Sequence, residues 1–90
     1  MGTAILKIKI MPSSPDVNLK EIETQASKII EEDKGKGKRI EREPVAFGLN
    51  AVIITFVRDE EKESDTLLEK LRNIDNVSSA EIIDFRRALG

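Results

Sequence analysis

Hydrophobic and polar positions alternate along residues 3–11, TAILKIKIM. Ala4, Leu6, Ile8 and Ile10 fall on one parity, and Ile5, Lys7 and Lys9 on the other. That is the period of a strand with one buried face and one wet face. Pro12-Ser13-Ser14-Pro15 ends it, because proline supplies no N–H to a ladder. The period then changes. Leu19, Ile22, Ala26, Ile29 and Ile30 recur at helical spacing. Asn18 stands ready to cap, with Glu21 three residues on in the spacing of a capping box. A helix is predicted from about residue 19 to 32, with Gly35 as the expected C-cap glycine.

Lys36 to Glu43 is mostly charged, with Ile40 its main apolar residue. Interleaved charges of this kind suit a strand at a sheet edge, where they discourage edge-to-edge pairing. Residues 50–58, NAVIITFVR, are apolar on both parities, as a central strand would be. Asp59-Glu60-Glu61-Lys62-Glu63 is a solvated turn, after which Ser64 or Asp65 caps a second helix with the stripe Leu67, Leu68, Leu71 and Ile74. Asp75-Asn76 turns the chain into a last strand, 77–86, with Ala80 and Ile82 on one parity and Ile83 and Phe85 on the other. Arg86, Arg87, Ala88, Leu89 and Gly90 form a tail. The order is β-α-β-β-α-β. It predicts an α+β, ferredoxin-like sandwich: a four-stranded antiparallel sheet with two helices on one face. The two most apolar strands, the first and third, would be central, and the charged second strand an edge.

Composition narrows the chemistry. Ninety residues make a single domain, 1–90. Without Cys, thiolate–zinc and thiol-nucleophile chemistry are excluded; without His, the commonest general base and metal ligand is missing. Net charge is −2, the wrong sign for a nucleic-acid or anionic-membrane binder, and a stacking platform needs more aromatics than three Phe. Charged residues make up 36% with both signs mixed, which fits a protein from a hot environment. No apolar run reaches membrane-spanning length, and Met1-Gly2-Thr3-Ala4 begins a strand rather than a signal peptide, so a soluble, cytoplasmic protein is expected.

Few motifs survive scrutiny. Gly35-Lys36-Gly37-Lys38-Arg39 lacks the spacing of a phosphate loop and opens no helix; a helix end followed by a charged edge strand is the plainer reading. The clusters Glu31-Glu32-Asp33 and Asp59-Glu60-Glu61 with Glu63 lie at polar element ends and read as solvated surface, with no metal site. The serines have no His to activate them, so nucleophilic catalysis and an enzymatic role are not expected. Asp84, Arg86 and Arg87 are either a surface ion-pair group or a charged projection toward a partner. The run Pro44-Val45-Ala46-Phe47-Gly48-Leu49-Asn50 carries a Phe where a plain turn would serve. Phe47 is either a plug for the domain's own core or an anchor for a partner's pocket; its apolar neighbours Val45, Ala46 and Leu49 favour the plug.

The same run resembles a known family. The match takes in the apolar strand after it, Arg58-Asp-Glu-Glu-Lys62, Thr66-Leu-Leu-Glu69, Val77-Ser-Ser-Ala-Glu-Ile82, the basic tail and the opening Ile8-Lys-Ile-Met-Pro12. Together these resemble the guanine-nucleotide exchange domain of translation elongation factor 1-beta, in its short archaeal form, over nearly the whole chain. The resemblance implies the ferredoxin-like fold already read from the pattern. It implies exchange of GDP for GTP on elongation factor 1-alpha, by protein–protein contact and without a cofactor. It further implies that Phe47, before Gly48, enters an apolar pocket of the GTPase. A basic residue near the C-terminus would reach the magnesium site beside the nucleotide. Alignment of the last strand places Arg87 there, with Arg86 beside it, where eukaryotic relatives carry Lys. Two other classes compete. One is a ferredoxin-like regulatory domain binding a small molecule at a dimer interface. The other is an RNA-binding sheet, against which stand the acidic charge and the missing aromatics at Ile53 and Thr55.

Overall fold

The computed structural model describes residues 2–88; Met1, Leu89 and Gly90, and with them the end of the expected tail, lie outside the described residues. The elements are β1 (Thr3–Pro12), α1 (Leu19–Glu32), β2 (Lys36–Pro44), a short 3-10 turn (Ala46–Gly48), β3 (Asn50–Asp59), α2 (Asp65–Arg72) and β4 (Val77–Ala88). The strands form one antiparallel sheet in the order β2-β3-β1-β4. This is the expected ferredoxin-like arrangement, with the apolar first and third strands inside and the charged second strand at an edge.

One parity of each central strand builds the core. Ala4, Leu6, Ile8 and Ile10 of β1 and Val52, Ile54 and Phe56 of β3 pack with Ala80 of β4. The helices close over them with Ile22, Ala26 and Ile30 of α1 and Leu67, Leu68 and Leu71 of α2. Edge strand β2 is stitched to α1 by charge. Arg42 donates to Glu23 through Nε and Nη2, at 2.8 and 3.3 Å, and Lys38 pairs with Glu31. These bonds raise the Arg42 pKa above its ordinary value.

Several local expectations need correcting. Gly35 is not the left-handed residue of the α1 terminus; Lys34 is, at φ 71°. Lys34 N–H donates to Glu31 and Gly35 N–H to Ile30, the paired bonds of a Schellman motif one residue earlier than expected. Gly35 is required for another reason. A Cβ there would stand 2.5 Å from the Ile30 side chain and 2.9 Å from the Phe56 ring. Ser64 occupies the cap position of α2, but its side chain makes no capping bond. Glu63 Oε1 accepts from Thr66 N–H at 3.0 Å instead.

The last strand departs furthest from its reading. It runs two residues beyond the expected 77–86, to Ala88, so Arg87 as well as Arg86 is a strand residue, the two standing opposite Ala4 and Ile5 respectively. Its register against β1 shifts between Lys7 and Ile8, which leaves Ile83 as an extra, bulged residue. The bulge reverses the parity beyond it. Ile82 faces Ile8 and Phe85 faces Leu6, both on the side of the helices rather than on opposite sides. Phe85 is still half-exposed, because a twelve-residue strand outreaches the eight-residue α2 above it.

Candidate functional site

Phe47 is not a core plug. It sits at the tip of the β2–β3 hairpin and is 92% exposed. Pro44 pairs with Asn50, and Val45 N–H donates to Leu49 O at 2.8 Å, so the strands close directly beneath the tip. The turn is completed by two successive left-handed residues, Phe47 at φ 63° and Gly48 at φ 74°. Glycine takes that conformation freely, whereas a bulky residue there is an outlier. A large apolar ring is therefore held in water on a strained backbone. Backbone strain of this kind collects at binding and switch sites.

Arg86 and Arg87 lie at the other end of the molecule. Antiparallel pairing sets the hairpin tip beside the end of β1 and the start of β4, and the two arginines beside the start of β1 and the end of β3. The nine residue steps of β3 alone separate the two ends by about 30 Å at ~3.3 Å per residue, within a longest extent of 42 Å. Phe47 and Gly48 thus make one locus and the arginines another; they do not form one patch.

Register also separates the two arginines from each other. Arg86 opposes Ile5, on the helix-free face, and pairs with Asp84 through Nε at 3.1 Å. Arg87 opposes Ala4, on the helix side, and its Nε lies 3.3 Å from Glu60 Oε2. Ala4 is flanked on its other side by Arg58, so Arg58, Ala4 and Arg87 form one cross-strand row. Arg58 is only 4% exposed. It lies 3.1 Å from Asp33 and donates to Glu63 O at 2.9 Å, while Lys62 also pairs with Asp33. This fastens the β3–α2 turn, the segment carrying Glu60, to the end of α1.

The acidic clusters are accordingly less free than their sequence suggests. Glu31, Asp33, Glu60 and Glu63 all have partners, and solvated surface describes Glu32 and Glu61 better. No group of His, Cys, Asp or Glu suited to a metal ion occurs among the described residues. The sequence reading missed Glu60 and the Arg58–Asp33 pair. Arg58 had a signal: it continues the buried parity Val52, Ile54, Phe56. Glu60 had none, since its partner is twenty-seven positions away in the chain. A groove of about 720 Å³ lies between the helices, with Ile22, Ile29 and Ile74 among polar neighbours. No helix among the described residues is long and apolar enough to cross a membrane.

Comparison with known proteins bears on all of this. Residues 5–88 match the family model described as the EF-1 guanine nucleotide exchange domain. The chain is 48% identical over 77 residues to elongation factor 1-beta of Pyrococcus horikoshii, covering 83% of this chain and 84% of that one. It is 43% identical over 77 residues to the Thermococcus gammatolerans protein of the same name, with the same coverage. With elongation factor 1-beta of Methanococcus maripaludis it shares 36% over 86 residues, 93% of this chain and 96% of that one. The chain belongs to the EF-1 guanine nucleotide exchange domain family.

Proposed function

We propose that this protein promotes release of GDP from elongation factor 1-alpha and its reloading with GTP, by contact at two separate places. The observation that carries the reading is Phe47, an aromatic ring almost wholly exposed on a left-handed backbone. Phe47 enters an apolar pocket of the GTPase and supplies affinity; a buried aromatic anchor is the usual form of an interface hot spot. Gly48 lets the turn close behind the ring. Arg87, on the opposite end, approaches the magnesium site beside the nucleotide.

The physical logic is competition. A GTPase holds its nucleotide through loop amides, a lysine and Mg²⁺ on the phosphates. A guanidinium brought to the metal position competes for the same carboxylate and hydroxyl, and loss of the metal weakens phosphate binding. No covalent bond changes in this chain, so it acts as a binding partner and not as an enzyme, in the cytoplasm where its GTPase works. Linkage makes the effect reciprocal: a factor that weakens GDP is itself weakened by GDP, and excess nucleotide displaces it. Arg87 is a planar fork where eukaryotic relatives carry a compact ammonium, so it needs more room at that position.

The test is release of fluorescent GDP from purified elongation factor 1-alpha. The parent protein is expected to accelerate it. At factor concentrations well below saturation, Phe47→Ala and Arg87→Ala, both folded by circular dichroism, are expected to lose most of that acceleration. Unchanged rates with both variants would sink the reading.

A further inference from the structure

Glu60 is held from both sides, and this gives it a function that neither its sequence position nor its solvated turn suggests. On one side its N–H donates to Gly2 O at 3.1 Å, and its carboxyl group lies directly over Gly2. A Cβ at residue 2 would stand 2.6 Å from Oε1 and 2.9 Å from Cδ, so only glycine leaves the carboxylate where it is. On the other side Oε2 meets Arg87. Glu60 is three-quarters covered while Arg87 is mostly exposed, so the carboxylate is the fixed member of the pair and the guanidinium the free one. The turn beneath is itself fastened by the buried Arg58 to Asp33 and Glu63. Contact is made at Nε, the inner edge of the guanidinium, and does not require its two terminal amino groups.

We infer that Glu60 is a positioning residue for Arg87: it aims the guanidinium off the end of β4 with its terminal amino groups directed outward. The inference rests on the exchange role proposed for Arg87 above. A free arginine side chain loses much rotamer freedom when it docks, and a partner that already holds it reduces that loss. Arg58, on the far side of Ala4, adds a second reason. Its own charge is met by Asp33, which leaves Glu60 as the carboxylate paired with Arg87.

The experiment is a double-mutant cycle in the GDP-release assay, run across factor concentrations, with thermal melts as the check on folding. Glu60→Gln is expected to lower the maximal release rate roughly two- to fivefold, the range an exposed ion pair supports. The half-saturating concentration should stay unchanged, since Phe47 sets it. Gly2→Ala should do the same by displacing the Glu60 carboxylate. Neither change should reduce the rate further once Arg87→Ala is present. A rate equal to or above the parent's with Glu60→Gln overturns the inference, as does an undiminished loss in the Arg87→Ala background. Should Gly2→Ala melt early, Glu60→Gln still decides the matter. An Arg87→Ala variant with full activity overturns the exchange role itself; an impaired Arg87→Ala with a silent Glu60→Gln overturns only the positioning.

Discussion

Two phenylalanines show how differently the same residue is used in this chain. Phe56 lies in the core at 1% exposure, where truncation to Ala costs about 3–5 kcal/mol. Phe47 stands in solvent and forgoes that burial. It also carries a left-handed backbone, which costs a side chain with a Cβ about 1–2 kcal/mol. The fold therefore gains nothing from this ring. Phe47→Asn isolates the point, because Asn visits the left-handed region more readily than other non-glycine residues. The thermal midpoint of Phe47→Asn is expected to equal or exceed the parent's by a few degrees, at about 4–8 °C per kcal/mol for a domain of this size. Its affinity for the GTPase should collapse in the same preparation. A lowered midpoint would mean that the ring packs on its own domain.

At the scale of elements, helix α2 is short and depends on how it starts. Its cap is the Glu63 carboxylate, and hydrogen bonding from Thr66, side chain and backbone together, holds the Glu63 pKa below its ordinary value. A depressed folded pKa means that the ionised form stabilises the fold. That contribution is complete above the usual Glu range, near ~4.3, and is lost as pH falls through the lower folded value. The stability advantage of the parent over Glu63→Gln, read from urea midpoints, should be constant at neutral pH and shrink toward zero in acid. Ser64→Ala should be nearly silent, since that side chain caps nothing. An advantage over Glu63→Gln that persists unchanged at low pH would contradict the capping role. Elements were the most legible part of the sequence: α1 falls where its period of Leu19, Ile22, Ala26 and Ile29 puts it. Strand β4 was not, for a physical reason. Its bulge at Ile83 carries no glycine to announce it, and one inserted residue silently inverts which side chains face the core. The β2 bulge near Gly37, at φ 63°, has such a marker.

The whole molecule decides what the pair Phe47 and Arg87 can be. Period left both residues between a structural and a partner-facing reading, the family resemblance singled them out, and neither gave their separation, which follows from strand order and antiparallel register. The β2–β3 tip and the end of β4 point in opposite directions along the 42 Å axis. A partner that touches both must therefore span the domain, and the domain acts between them as a rigid spacer. Rigidity is a property of the sheet: β1 pairs with β4 from Thr3 to Pro12 and with β3 from Thr3 to Ile10, so the two ends are tied through one continuous central strand. Sites this far apart share no contacts, and their free energies should add within about 0.5 kcal/mol, a factor of roughly two. The expected outcome is a division of labour in the release assay. Phe47→Ala raises the factor concentration needed for half-maximal release and leaves the limiting rate nearly intact. Arg87→Ala lowers the limiting rate and leaves the half-maximal concentration nearly intact. The double variant shows both defects, with a loss in second-order efficiency equal to the product of the single losses within that factor of two. If the double variant is no worse than the weaker single one, the two ends act in one indivisible step, and the separation of anchoring from metal displacement is wrong.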